Sequence, residues 1–130
     1  MVQTKQATIL VVDDDAFNLK LLKAQLSVEG HAVRTAANGE EALALVSEQL
    51  PDLILLDVMM PGIDGFEVIR RLKADAKTRA VPIIMVTALE DDESRTKALE
   101  MGADDVFTKP VNRVELQMCV RNLLQAKNIN

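Results

Sequence analysis

Four separate pieces of the sequence carry side chains that could together transfer a phosphoryl group. They are Asp13 with Asp14, Asp57, Thr87 and Lys109. Each piece lies at or just beyond the end of a short apolar run of the kind that forms a β-strand. If these strands are parallel neighbours, three carboxylates, a hydroxyl and an ammonium meet at one edge of a sheet. Carboxylates this close together repel one another unless a cation lies among them. These residues therefore predict cation-assisted phosphoryl chemistry.

The strand-like runs alternate with amphipathic stretches along the whole chain. The runs begin near Thr8, Ala32, Leu53, Pro82 and Asp105. This alternation is typical of repeated strand–helix–strand units and predicts an α/β fold with a parallel sheet. Three runs are apolar throughout, as strands covered on both faces must be. Residues 32–36 are more mixed in polarity, so we expect that run at an edge of the sheet.

Capping residues predict where five helices begin and end. The first is expected from near Asp15 to Gly30, and the second and third are capped by Asn38 and Asp64. The fourth is expected from about Asp91 to Met101 and stops at Gly102, and Asn112 with Glu115 resembles a capping box for the fifth. The residues expected on the inner faces are Leu19, Leu22 and Leu26; Leu43, Val46 and Leu50; Phe66, Ile69 and Leu72; Ala98, Leu99 and Met101; and Leu116, Val120, Leu123 and Leu124.

Composition narrows the class of protein and its partners. The 130 residues fit one domain, and 20 acidic against 15 basic residues give a net charge of −5, which argues against binding of nucleic acid or an anionic membrane by this domain. A single cysteine cannot form an internal disulfide, and the first residues lack an apolar signal-peptide stretch, so we expect a cytoplasmic location. We expect residues 1–7 to be an N-terminal extension, 8–124 the domain, and 125–130 a tail or the start of a linker to an effector.

From about Thr8 to Leu124 the chain resembles the receiver domain of two-component response regulators. The matching pieces, in order and at receiver-like spacing, are residues 9–14 (ILVVDD), 57–65 (DVMMPGIDG), 86–88 (VTA) and 108–110 (TKP). The resemblance implies a flavodoxin-like, doubly wound α/β fold with a five-stranded parallel sheet of order 2-1-3-4-5 and five helices. Sites in such sheets lie beyond the carboxyl ends of the strands.

The resemblance also implies a role for each residue of the site. Asp57 would be the phosphoacceptor, taking a phosphoryl group from the phosphohistidine of a sensor histidine kinase or a phosphotransfer protein, and Thr87 and Lys109 would contact that group. In Pro110 the chain matches the proline whose cis bond, in this family, aims the lysine into the site.

A divalent cation, Mg²⁺ or Mn²⁺, would be held by Asp13, Asp14, Asp57 and the main-chain carbonyl of Met59. The run of three aspartates leaves open which pair binds the cation. Register after the strand favours the first two and leaves Asp15 as the helix cap.

Two departures from the family pattern bear on how the signal is read and how long it lasts. Receivers usually carry an aromatic residue three positions before the lysine, where this chain has Val106 followed by Phe107. Because valine cannot swing a ring, we expect output to depend on movement of the loop after Thr87 and of the fourth helix. Met59 and Leu89 flank the expected phosphoryl position, and their apolar side chains predict slow intrinsic dephosphorylation.

Receivers usually signal through the face formed by helix 4, strand 5 and helix 5, to an effector domain or a downstream protein. Charged residues on this face resemble the ion pairs through which receivers of winged-helix transcription factors dimerise, which makes a phosphorylation-dependent homodimer one alternative. They are Arg95, Glu100, Asp105, Glu115 and Arg121. Such receivers carry arginine where this chain has Cys119, so Asp105 is expected to lose its partner.

Two other readings of the same residues stay open. One is a pseudo-receiver that binds partners without being phosphorylated, although such proteins typically lose a motif residue. The other is an aspartate-nucleophile phosphatase, which would need an Asp-x-Asp pattern after the first strand and a capping insertion. A third, a kinase, finds no support, since His31 is the only histidine and no glycine-rich ATP loop is present. We therefore expect a switch that assists its own phosphoryl transfer and dephosphorylation and is not an enzyme with a separate substrate.

Overall fold

The computed structural model of the chain describes residues 6–88 and 91–128. Within them lie five parallel strands: β1 (Thr8–Val12), β2 (Ala32–Ala36), β3 (Leu53–Leu56), β4 (Ile83–Thr87) and β5 (Asp105–Thr108). The helices among the same residues are α1 (Ala16–Val28), α2 (Gly39–Glu48), α3 (Gly65–Ala74), α4 (Asp92–Met101) and α5 (Arg113–Asn128). The strand order is β2-β1-β3-β4-β5, which confirms the predicted topology and the edge position of β2.

The sheet separates two layers of apolar side chains. Leu10 and Val12 of β1 face the layer under α2, α3 and α4, whereas Ile9 and Val11 face the layer under α1 and α5. Because successive side chains of a strand point to opposite faces, a strand covered by helices on both sides must be apolar at every position. This explains the uninterrupted apolar runs of β1, β3 and β4.

The predicted helix caps are confirmed by side-chain hydrogen bonds to the backbone. Asp15, Asn38 and Asp64 are the N-caps of α1 to α3. Asp91, which was expected to begin the fourth helix, is the N-cap of α4. At α5, the side chain of Asn112 accepts from the N–H of Glu115 at 3.0 Å. Helix α4 ends at Met101 and is capped by Gly102, whose φ of 116° is the left-handed conformation that favours glycine.

Two of the predicted inward-facing residues were wrong. Leu50 is 49% exposed because α2 ends at Glu48 and the side chain lies beyond the helical register. Leu99 is 44% exposed because α4 buries only Ala98 fully, and the next position is turned well away from the sheet.

Aspartate carboxylates accept backbone hydrogen bonds at the beginnings of two pairs of neighbouring strands. The side chain of Asp52, just before β3, accepts from the N–H of Thr8 in β1 at 2.8 Å. The side chain of Asp104, just before β5, accepts from the N–H of Ile83 in β4 at the same distance. These bonds fix the register at the amino ends of the strands, and that register determines which residues meet at the carboxyl ends. No helix among the described residues is both long and apolar enough to cross a membrane.

Candidate functional site

Backbone hydrogen bonds bring the four chemically competent segments to one edge of the sheet. The N–H of Asp13 donates to Ala36 at 3.1 Å, and the N–H of Asp57 donates to Val12 at 3.0 Å. The N–H of Lys109 donates to the carbonyl of Thr87 at 2.8 Å. The parallel ladder therefore continues for one residue beyond the strands and sets Asp13, Asp57, Thr87 and Lys109 side by side.

Three carboxylates meet at this edge. One carboxylate oxygen from each of Asp13, Asp14 and Asp57 lies within 4.8 Å of the others. Asp13 and Asp57 are buried, and Asp14 is exposed. The third aspartate of the run, Asp15, accepts from the N–H groups of the first turn of α1 instead, as the strand register predicted.

The ammonium of Lys109 lies between the two buried carboxylates. Its Nζ donates to Oδ2 of Asp13 at 2.8 Å and to Oδ2 of Asp57 at 3.1 Å. The peptide bond between Lys109 and Pro110 is cis. With one ammonium among three carboxylates, the cluster keeps a formal charge of −2.

This charge balance perturbs the pKa values of the cluster. Burial raises the pKa of Asp57 above its ordinary value, and the hydrogen bond from Lys109 opposes the rise without cancelling it. Partial burial acts to lower the pKa of Lys109, but the bonds to Asp13 and Asp57 outweigh it and raise that pKa. The lysine therefore stays protonated, and burial disfavours the charged form of Asp57.

The loop between β3 and α3 leads directly away from Asp57. The N–H of Met59 donates to Oδ1 of Asp57 at 3.3 Å, and the Met59 side chain is 60% exposed beside the site. At the far end, the N–H of Gly65 donates to the carbonyl of Val58 at 2.8 Å. A Cβ at Gly65 would overlap the carbonyl oxygen of Asp57, so only glycine lets α3 begin this close to that residue. The Asp-Gly pair at the start of the helix was the one sequence signal for this contact.

The residues fit a magnesium ion. Mg²⁺ prefers carboxylate, carbonyl and water oxygens, and the site offers three carboxylates with too little positive charge to neutralise them. Thr87 is buried at the end of β4, next to Lys109 through the backbone bond. Leu89, expected to flank the site, lies outside the described residues.

A family model supplies the decisive comparison. The model of the response regulator receiver domain matches residues 9–121. The chain belongs to the response regulator receiver domain family. Receiver domains are signalling domains of two-component systems that work with sensor kinases and effector domains, and they bind Mg²⁺ through an acidic pocket of the kind described above.

Curated relatives extend beyond the receiver. The chain is 50% identical over 121 residues to the response regulator PleD of Caulobacter vibrioides, covering 93% of this chain and 27% of that protein. It is 49% identical over 117 residues to the transcriptional regulatory protein AfsQ1 of Streptomyces coelicolor, covering 90% of this chain and 50% of that protein. The chain thus spans from about a quarter to half of the length of these relatives.

Solved structures agree with the fold. The signal receiver domain of a signal transduction histidine kinase from Syntrophus aciditrophicus superimposes with a TM-score of 0.89 at 37% identity, covering 95% of this chain and 94% of that one. The receiver domain of a Francisella response regulator gives the same TM-score at 31% identity, covering 95% of this chain and all of that one.

A buried valine occupies the position at which receivers usually carry an aromatic residue. Val106 is buried in the layer under α2, α3 and α4, whereas Phe107 packs into the opposite layer with α1 and α5. Because the two side chains lie on opposite faces of β5, Phe107 does not replace a ring at position 106.

Two charged residues of the expected output face have other partners. The carboxylate of Asp105 accepts from the thiol of Cys119 at 3.5 Å, so this aspartate has a neutral partner where arginine was expected. Arg121 pairs with Glu29 at the end of α1 at 2.8 Å. The guanidinium is thus drawn toward α1, away from the face of α4, β5 and α5 on which we expected it.

Proposed function

We propose that the chain is a phosphoacceptor switch in a two-component phosphorelay and is phosphorylated on Asp57. The observation that carries the proposal is the ammonium of Lys109 bonded to both buried carboxylates, Asp13 and Asp57, in a cluster that keeps net negative charge. A buried cluster of this kind lowers the stability of the protein unless a cation binds it. Cation-assisted phosphoryl transfer is a function that would use such a cluster.

The proposed reaction transfers a phosphoryl group from a phosphohistidine to the carboxylate of Asp57. An oxygen of Asp57 forms the new bond to phosphorus as the phosphorus–nitrogen bond breaks, and the electron pair of that bond leaves with the imidazole. The product is an aspartyl phosphate. Lys109, which is within hydrogen-bond distance of Asp57, would then contact a phosphoryl oxygen, and the hydroxyl of Thr87 would contact another.

Asp13, Asp14, Asp57 and the main-chain carbonyl of Met59 would hold Mg²⁺, or Mn²⁺ in its place. When bound, the ion offsets the negative charge of the attacking carboxylate and of the phosphoryl oxygens. Before phosphorylation, Lys109 offsets part of the same charge, and the N–H of Met59 fixes one oxygen of Asp57.

The phosphoryl donor in this proposal is a sensor histidine kinase or a phosphotransfer protein. The signal would pass through the face of α4, β5 and α5 to an effector domain or a downstream protein. A phosphorylation-dependent homodimer is one form that this output would take. The domain itself would bind neither nucleic acid nor membrane and would act in the cytoplasm, where its one cysteine stays reduced. It would also assist its own dephosphorylation.

The test is the intact mass of the protein after incubation with acetyl phosphate, with and without Mg²⁺. We expect one phosphoryl adduct that requires Mg²⁺ and is absent from Asp57→Asn. An adduct that persists in Asp57→Asn would reject the assigned acceptor. A folded protein that binds Mg²⁺ but gains no adduct would be a partner-binding pseudo-receiver, and turnover of an added phosphomonoester would indicate a phosphatase.

A further inference from the structure

We infer that Glu40, in the first turn of α2, is a positioning residue for the metal-binding loop between β3 and α3. The inference rests on the proposed function, because it concerns the loop whose Met59 carbonyl would bind Mg²⁺. Glu40 does not touch the acidic cluster in the contacts described above. Its effect is through the backbone of the loop.

The first turn of α2 packs closely against the loop at Gly39. Gly39 lies against Ile63 of the loop, and a Cβ at Gly39 would come within 2.5 Å of Cγ1 of Ile63 and 2.9 Å of Cγ2 of Val68. Gly39 is buried even though it begins the helix. The loop therefore fits into α2 at this point, and a side chain at position 39 would push it away.

Glu40 adds a polar contact at the same place. Its Oε1 accepts from the N–H of Ile63 at 3.4 Å. The same oxygen lies 3.1 Å from the position that a Cβ would take on Gly62, whose φ is +79°. A left-handed residue changes the direction of the backbone sharply, so the Glu40 carboxylate lies against the point where the loop turns.

The loop is therefore held at both of its ends and at this turn. Near β3, the N–H of Met59 bonds to Asp57, and at α3 the N–H of Gly65 bonds to Val58. The turn at Gly62 and Ile63 lies between these anchors, and α2 provides its only side-chain hydrogen bond among those described in the structure. Loss of the Glu40 acceptor would let this turn move, and the carbonyl of Met59 would lose part of its orientation.

Three variants separate positioning from charge. Glu40→Ala removes the acceptor and the charge, Glu40→Gln removes the charge and keeps an oxygen acceptor, and Glu41→Ala removes the neighbouring charge in the same helical turn. Mg²⁺ affinity is measured by isothermal titration of the unphosphorylated protein. Hydrogen exchange of the Ile63 amide is measured on the metal-free protein, and thermal unfolding shows that each variant is folded.

We expect Glu40→Ala to weaken Mg²⁺ binding by about threefold and to speed exchange at Ile63 by a similar factor, as for loss of one weak hydrogen bond. Glu40→Gln should restore both values to near those of the unaltered protein, and Glu41→Ala should change neither.

Equal Mg²⁺ affinity in Glu40→Ala and the unaltered protein would overturn the inference. So would a Glu40→Gln variant as weak as Glu40→Ala, or a Glu41→Ala variant that loses as much, because charge alone would then explain the effect. If the unaltered protein binds no Mg²⁺, the proposed function fails, and the exchange rate at Ile63 still decides whether Glu40 holds the loop.

Discussion

Replacement of Asp57, the proposed phosphoacceptor, should make the metal-free protein more stable. In Asp57→Asn, the buried carboxylate of residue 57 becomes a neutral amide of nearly the same shape. The change removes the repulsion from Asp13 and Asp14 and also the attraction to Lys109. Because burial already raises the pKa of Asp57, the charged form of this residue is disfavoured in the fold at neutral pH, and its removal should raise the free energy of unfolding.

The magnitude follows from the distances. Two carboxylates at the 4.8 Å limit repel Asp57 by about 7 kcal/mol in total at an effective permittivity of about 20. The ammonium at 3.1 Å attracts it by about 5 kcal/mol under the same conditions. The difference predicts a gain of about 1–2 kcal/mol, which for a domain of this size raises the Tm by about 5 °C.

The assay is thermal and urea unfolding followed by circular dichroism, since the chain has no tryptophan. In EDTA, Asp57→Asn should unfold at a higher temperature than the unaltered protein. Magnesium at ten times its dissociation constant should stabilise the unaltered protein by about 1.4 kcal/mol and the variant by less, so the difference between them should shrink.

Asp15→Asn is the matched control, because it removes an adjacent acidic charge and keeps a good helix cap. We expect little change in that variant. A lower Tm for Asp57→Asn than for the unaltered protein in EDTA would refute the idea that the clustered charges lower the stability of the fold. An equal rise in Tm on addition of Mg²⁺ to both proteins would refute it as well.

Three further predictions concern residues around the site and on the face formed by α4, β5 and α5. Gly65→Ala should destabilise the fold by about 1–3 kcal/mol and slow phosphorylation by acetyl phosphate, because the new methyl group displaces the carbonyl of Asp57; unchanged urea unfolding would contradict this. Burial, and after it the charge of Asp105, raises the pKa of Cys119 to about 12, so alkylation by iodoacetamide near pH 8.5 should be on the order of a thousandfold slower than for free cysteine, and faster in Asp105→Asn. Met59→Asn should shorten the lifetime of the aspartyl phosphate, measured by intact mass over time, because an amide can orient the attacking water that the exposed thioether cannot; an unchanged lifetime would remove Met59 from the account of dephosphorylation.

The strand ends were predictable from sequence because the relevant pattern is local. Uninterrupted apolar runs followed at once by Asp13, Asp57 and Thr87 indicate buried parallel strands, and parallel strands bring their carboxyl ends together. The same register separated Asp15, which caps α1, from the two aspartates before it. Helix caps were predictable for the same reason, since each depends on residues only two or three positions apart.

Contacts between distant side chains were not predictable in this way. The pairing of Arg121 with Glu29 joins residues 92 positions apart, and nothing in the periodicity of α5 indicates it. The bond from Glu40 to the loop depends on how closely α2 approaches α3, which the sequence reveals only through the glycine before it. Leu50 and Leu99 were misplaced because helical periodicity does not show where a helix leaves the sheet.

The thiol partner of Asp105 bears on how strongly a dimer through the α4–β5–α5 face would depend on salt. In a dimer of two copies of this chain through the α4–β5–α5 face, each Asp105 would keep the Cys119 of its own protomer. A receiver that has arginine at that position would gain a charged pair across the interface, whereas this chain would offer only a thiol. Because salt screens pairs of exposed charges, a dimer of this chain would depend less on ionic strength than a dimer of such a receiver.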